Sequence, residues 1–329
     1  MSVPRMTVLS SCGSRQQQGA NGGHPFFSLC FGAERQPCRW PVFRPAMPLL
    51  STSARGELWQ GPEPAEHWEP EAGIRAVRSG QLLMMAASHQ QDADESLEQL
   101  TSRLYRRLRR ALKRAGFQHV IRFWNFVPAI NATENGMERY RRFCIGRHEA
   151  FSGDWPLDEA TYPAASAVGS ASGPLEIHAL AAPTPGSPLE NPRQVSAYHY
   201  PSRYGPRSPA FARASFVESG DGGTLFISGT AAIVEHRSVH PMDAAAQTRE
   251  AVANLRALVE HAEARTARRL PLLRENTALR IYVRNAEDTE AVQQTLDREF
   301  PDRLPAVFVQ ADICRRELLV EIEGSVQSV

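Results

Sequence analysis

The 329-residue chain predicts an α/β protein of two tandem α+β units, each a mixed sheet with helices on one face. Three observations carry this. A strand–helix–strand–helix–strand succession runs from Gln81 to Leu180 and returns from Thr224 to Gly324. Pro163-Ala164 is answered by Pro305-Ala306, and Leu175-Glu176-Ile177 by Val320-Glu321-Ile322. A Pro-rich link from Ala182 to Pro192 separates the copies. The boundaries that follow are a leader over 1–50, a first unit over 51–183 and a second over 184–329.

The leader mixes Gly, Gln, Pro and Arg without either period, so it reads as partly disordered, with one short strand at Met6–Leu9. Organised structure is expected from about Gly56. Gln81-Leu-Leu-Met-Met-Ala86 reads as a buried strand. A helix over about Asp94–Ala115 carries Leu97, Leu100, Leu104, Leu108 and Leu112 on one face, with acids at its start, bases at its end and Gly116 as its stop. The strand His119–Val127 follows, then a helix from about Gly136 with Met137, Tyr140 and Phe143 on one side, and the strand Leu175–Leu180. In the second copy come Thr224–Ser228, a helix over about Asp243–Ala262, Leu279–Arg284, a helix near Asp288–Phe300, and Pro305–Gln310.

Composition excludes several classes. A formal net charge of +1 gives no long-range pull toward nucleic acid or membrane. The basic run Arg103–Arg114 lacks interleaved aromatics and reads as a solvated helix face. No apolar run is long enough to span a bilayer, and the first residues lack the continuous apolar core of a signal peptide. The five cysteines (12, 30, 38, 144 and 314) are scattered without a CxxC pair. That pattern favours reduced thiols in a cytoplasmic protein over a zinc site.

The C-terminal run Cys314-Arg-Arg-Glu-Leu-Leu-Val-Glu321-Ile-Glu-Gly324 holds the first chemical candidate. As a strand buried on both faces it points Glu321 away from Val320 and Ile322, where a carboxyl is hard to ionise and can donate a proton near neutral pH. As an edge strand it would turn Glu321 and Glu323 to water. The repeat favours burial, because duplicated units create a cleft where they meet. It also supplies an equivalent carboxyl, Glu176, but only Glu321 has a cysteine seven residues before it.

Further segments stand out from ordinary scaffold: Arg122-Phe-Trp-Asn125 through Asn131, Glu138 through Arg147, Tyr198 through Arg213, and Ile227-Ser-Gly229-Thr230. Clustered Arg and Tyr on a Pro/Gly-stiffened loop suit a carboxylated ring, since Arg offers a planar two-point clamp and Tyr stacks and donates. The Ser-Gly-Thr stretch could present backbone N–H groups to an anion. Arg284 alternates with Ile281 and Val283 and so points away from the side they share.

These stretches (WNFVPAIN, ERYRRFC-x-GR, YHYPSRYGPRSPAFARA, ISGTAAIVEH-x-SVHP, YVRNAED and CRRELLVEIEG) resemble, in order, the signatures of the chorismatases, which act on chorismate and release pyruvate. The likeness covers roughly Gly56 to the C-terminus. The repeated unit resembles the Rid/YjgF fold, with a site in the cleft between or beside the units. In that simpler family an Arg after the Pro-Ala pair clamps a carboxylate. Ala165 and Val307 stand there in this chain, which puts Rid-type imine deamination in doubt.

The resemblance implies cleavage of the enolpyruvyl ether, with Glu321 as general acid and Cys314 as second catalytic residue. Relatives with a small residue at the position of Cys314 give a dihydrodiol, and those with Cys give 3-hydroxybenzoate. Some relatives tied to aryl-polyene pigments also release 4-hydroxybenzoate. Substrate carboxylates would fall to Arg147, Tyr198, Tyr204, Arg207 and Arg284, with Asn125 and Gly229 nearby. No metal or other cofactor is implied, and the partner is the small molecule chorismate. A monomer is favoured because the duplication can supply the interface of a Rid-type trimer, which is the alternative. The competing functional reading is a non-catalytic Rid-like module that binds a small aromatic acid.

Overall fold

The computed structural model describes residues 4–9, 23–33, 40–51, 53–153, 155–170, 172–220 and 222–329. The repeat is real at the level of topology. In the first unit the sheet runs Ala164–Ser170, His119–Pro128, Leu175–Ala182, Leu82–His89, Ile74–Ser79, Glu66–Glu71. In the second it runs Ala306–Gln310, Thr277–Val283, Val320–Gln327, Gly222–Ala231, Ala214–Ser219, Ser187–Leu189. Read from the same end, the sheets match strand for strand. Each has one parallel pair at that end and antiparallel neighbours beyond it.

Helices α1 (Leu97–Arg114) and α2 (Arg139–Ser152) cover one face of the first sheet, and α3 (Ala244–Thr266) and α4 (Thr289–Glu299) one face of the second. Helix α1 begins in a full capping box between Ser96 and Gln99, which fixes its entry. Its leucines pack on Met85, Phe123 and Ile177. The leucines and Val252 of α3 do the same with Ile227, Ile281 and Ile322. Of the sequence-derived elements, the helices and the strands around them fall within a few residues of their expected bounds. The outer strands Glu66–Glu71, Ile74–Ser79 and Ala214–Ser219 carry weaker apolar patterns and were not anticipated.

In the leader the expected strand at Met6–Leu9 is present, as Arg5–Leu9, and the described residues beyond it depart from expectation. Strands Arg5–Leu9, His24–Cys30 and Val42–Phe43 join Gly56–Gly61 in a four-stranded sheet. Phe26, Phe27, Phe43 and Trp59 pack from it into one core with Trp124 of the first unit and Phe226 and Tyr282 of the second. Aromatic burial supplies the order that a local period did not reveal. Cys144 and Cys314 carry free thiols, whereas Cys30 is disulfide-bonded, so the fully reduced set read from the sequence does not hold. Cys12 and Cys38 lie outside the described residues. No helix among the described residues is long and apolar enough to cross a membrane.

The units meet through the strand Ala164–Ser170. Ala164 N–H donates to Ser215 Oγ and Ala165 N–H to Ser228 Oγ, both at 2.9 Å, and Gly169 N–H reaches Asp312 O at 2.7 Å. A β-carbon on Gly169 would collide with Ile130 and Asp312, so only glycine allows this approach.

Candidate active site

A cavity of about 460 Å³ opens beside this junction, of a size that suits a small molecule. Helix α2 contributes Tyr140, Cys144 and Arg147, spaced four and three residues apart so that one stripe faces inward. Ala165 and Ser166 come from the junction strand. Tyr200, Tyr204, Arg207 and Arg213 come from the loop of the second unit between strands Ser187–Leu189 and Ala214–Ser219. The second unit supplies Gly229, Cys314, Arg315 and Glu321.

Glu321 is 4% exposed and sits on a central strand between Gly222–Ala231 and Thr277–Val283. The edge-strand alternative is thereby overturned, for Glu323 as well, at 2% exposure. Among the described residues nothing hydrogen-bonds to the Glu321 carboxyl. Burial pushes its pKa up to about 8, the nearby Glu323 charge adds to the rise, and Arg122 and Arg213 oppose it. It is therefore mostly protonated at neutral pH. Opposite Glu323 the partner strand bulges: Ile227 pairs with Gly324 and Thr230 with Ile322, so Ser228 and Gly229 share one position. Bulges re-aim side chains at sites. Gly229 N–H donates to Ser166 Oγ at 2.9 Å, so the Ser-Gly-Thr stretch is a bulge with its glycine donor already engaged.

Arg147 is 3% exposed, and its Nε and Nη2 have no hydrogen-bond partner. Tyr105, Phe123 and Phe151 surround its guanidinium at 5.5, 5.4 and 5.1 Å. A buried cation with unmet donors at a cavity wall is a ready site for an anion. Arg213, 4% exposed, donates to Tyr200 Oη at 2.7 Å and leaves Nε unpartnered. The Arg315 guanidinium lies 4.0 Å over the Tyr204 ring and 5.1 Å from Tyr200. With Arg203 and Arg207 at the cavity and Glu321 neutral, the lining is strongly cationic.

Cys314 lines the cavity, and burial with the adjacent Glu321 raises its thiol to about 12. Cys144 is raised to about 12 by burial. Both are thiols, not thiolates, at neutral pH.

Three expected site residues stand elsewhere. Asn125 faces the helix layer, accepting from Tyr105 Oη at 2.6 Å and donating to Ser166 O at 2.8 Å. Tyr198 packs on Tyr162 with ring centroids 5.6 Å apart and does not line the cavity. Arg284 ion-pairs with Asp312 and donates to the carbonyls of Leu318, Ile313 and Arg315, so it ties down the loop that carries Cys314. Tyr140, Cys144, Tyr200, Arg213 and Arg315 were not singled out from the sequence. The 140/144/147 stripe was a readable signal, whereas the arginines looked like any others in their motifs.

The repeat does not make a second site. Glu176 bonds His178 Nε2 at 2.9 Å. The rings of Phe43 from the leader and Phe126 close over that imidazole at 5.3 and 5.2 Å.

Two tandem units of one α/β fold, with a buried acid beneath a cation-lined cavity at their junction, define a small-molecule enzyme of the duplicated Rid type. Residues 57–181 match the family described as chorismatase FkbO/Hyg5-like, N-terminal, and residues 208–327 match the family described as endoribonuclease L-PSP. The chain is 37% identical over 305 residues to a 3-hydroxybenzoate synthase of Streptomyces hygroscopicus, covering 88% of each chain. It is 34% identical over 310 residues to a chorismatase of the same organism, covering 92% of this chain and 86% of the relative. A chorismatase crystal structure superposes with a TM-score of 0.84 at 30% identity, over 98% of both chains. The protein belongs to the chorismatase family and is an enzyme of that type.

Proposed function

We propose that the protein cleaves the enolpyruvyl ether of chorismate to pyruvate and an aromatic acid, mainly 3-hydroxybenzoate, with Glu321 as the general acid. The observation that carries this reading is the pairing of a buried carboxyl that accepts no hydrogen bond with an arginine-lined cavity. The substrate brings two carboxylates and a vinyl ether whose terminal methylene is a poor base. Protonating that carbon requires an acid fixed in position. Arg147 is assigned one carboxylate, because its donors are buried and unmet. Arg207, Arg213 and Tyr204 are assigned the other, and Asn125, Tyr198 and Arg284 act from behind the cavity wall.

Proton transfer from Glu321 to the methylene gives an oxocarbenium. The neighbouring ring hydroxyl then attacks the ring carbon that bears the ether, so the ring–oxygen bond breaks as a new one forms. Pyruvate departs with the ether oxygen as its keto oxygen and the transferred hydrogen in its methyl group. The ring epoxide left behind opens at the carbon that first carried the hydroxyl, and the hydroxyl proton returns to its oxygen. Aromatisation releases a ring proton, which restores Glu321. Chorismate then equals hydroxybenzoate plus pyruvate, with no water consumed. A dihydrodiol would require one water, so a neutral thiol at Cys314 is assigned the part of keeping water from the cation.

The test is incubation with chorismate alone, with pyruvate followed by a coupled dehydrogenase and the acids separated by chromatography. Pyruvate with 3-hydroxybenzoate supports the reading, whereas 4-hydroxybenzoate alone would keep the ether cleavage and sink the assignment of Cys314. No enzyme-dependent pyruvate from folded protein would favour the non-catalytic binding module.

A further inference from the structure

Glu321 has a carboxylate neighbour on its own strand, and that neighbour is held unusually firmly. Arg122 Nη2 donates to Glu323 Oε2 at 2.7 Å, and the Ser166 hydroxyl donates to the same oxygen. Tyr282 donates to Oε1 at 3.0 Å, and Arg280 Nη1 lies 2.6 Å from it. Arg280 is gripped in turn by Glu57 from strand Gly56–Gly61, with Nε donating to Oε1 at 2.6 Å. Ser166 Oγ also accepts from Arg122 Nη2 at 2.6 Å and from Gly229 N–H at 2.9 Å, which fills its hydrogen-bonding capacity. Two guanidinium groups thus face two carboxylates in a core less than 3% exposed, and their charges cancel. Four donors thus converge on the Glu323 carboxyl, whereas none reaches that of Glu321.

We propose that Glu323 is a positioning residue for the reaction, a fixed buried anion behind Glu321 that makes loss of the Glu321 proton costly and so keeps the acid loaded. The inference rests on the reading of Glu321 as general acid. Two residues apart on one strand, the carboxyls lie on the same face. The other groups around Glu321 come from four elements. Arg122 projects from strand His119–Pro128, Arg213 from the loop before strand Ala214–Ser219, Tyr282 from the neighbouring strand and Cys314 from the preceding loop. Arg122 and Arg213 favour the carboxylate, but the effect of Glu323 is larger than that of either. Glu57 gives the leader sheet a part in this, since without it Arg280 would stand in the core as excess positive charge.

The experiment reads the protonation midpoint of Glu321 without turnover, by infrared difference spectra of 13C-glutamate-labelled protein with and without E321Q. E323Q is expected to lower that midpoint by at least about one pH unit, a tenfold loss of protonated acid above it. Because E323Q leaves one guanidinium unmatched, the charge-balanced double variant Arg122→Met/Glu323→Met is measured beside it. There the fall is expected to be smaller and in the same direction. An unchanged midpoint in either variant, with folding verified by its thermal melt, overturns the proposal, because a purely structural net would not move it. The pH profile of pyruvate release should follow the midpoint. A midpoint that falls while the profile stays in place would leave the electrostatic coupling standing and remove Glu321 from the role of acid.

Discussion

The α-carbon of Gly229 lies against the carboxyl of Glu321 with no room for a β-carbon between them. The backbone there is not left-handed, so space rather than conformation demands glycine. Gly229→Ala should displace the acid at an overpacking cost of about 1–3 kcal/mol. The expected result is a fall in kcat of roughly tenfold to a hundredfold with little change in KM, measured by steady-state pyruvate release.

Glu321→Gln should lower kcat by roughly 10²–10⁴, the usual worth of a general acid. On the proposed mechanism the active form is protonated, so kcat should hold at lower pH and decline as pH rises through about 8. Near wild-type turnover in the variant would remove Glu321 from the mechanism.

The same group links pH to stability. Its folded pKa of about 8 lies above the ordinary value of 4.5, so its contribution is complete below 4.5 and is lost progressively as pH rises to about 8. The thermal midpoint of the wild type, compared with that of Glu321→Gln across this window, should fall with rising pH. A difference that stays flat would mean Glu321 is ionised in the folded protein throughout.

Arg147→Met should raise KM by roughly tenfold to a hundredfold, the worth of hydrogen bonds to a charged group. Its guanidinium is buried with Nε and Nη2 unpartnered, so its removal should leave the melting temperature unchanged or higher. A large loss of stability with unchanged KM would make it a structural residue.

Cys314→Ala should shift products toward the dihydrodiol while pyruvate release continues. Because its thiol is held up to about 12, wild-type Cys314 should also react slowly with iodoacetamide at neutral pH. An unchanged product ratio would mean the cysteine only packs.

Much of this was legible in the residues. The period of α1 and α3, the paired Pro-Ala steps and the two Leu/Val-Glu-Ile strands determined a duplicated α/β unit, because these signals arise from contacts a few residues apart. Strand alternation likewise determined that Glu321 opposes Val320 and Ile322. It could not say what lies on the side Glu321 faces. Only the tertiary structure decided that this side is a cavity rather than water, by placing the strand at the centre of its sheet. Long-range packing also decided which of the equivalent carboxyls faces a cavity. Phe43, from a leader with no readable period, closes over His178 beside Glu176, while Gly229 leaves Glu321 open. It separated the arginines as well. Arg147 keeps unmet donors at the cavity and Arg284 gives its donors to the Cys314 loop, though both sit in motifs of equal weight. Sequence period fixes the direction of a side chain, but the partner it meets can lie 201 residues away, as Glu323 does from Arg122, or 223, as Arg280 does from Glu57.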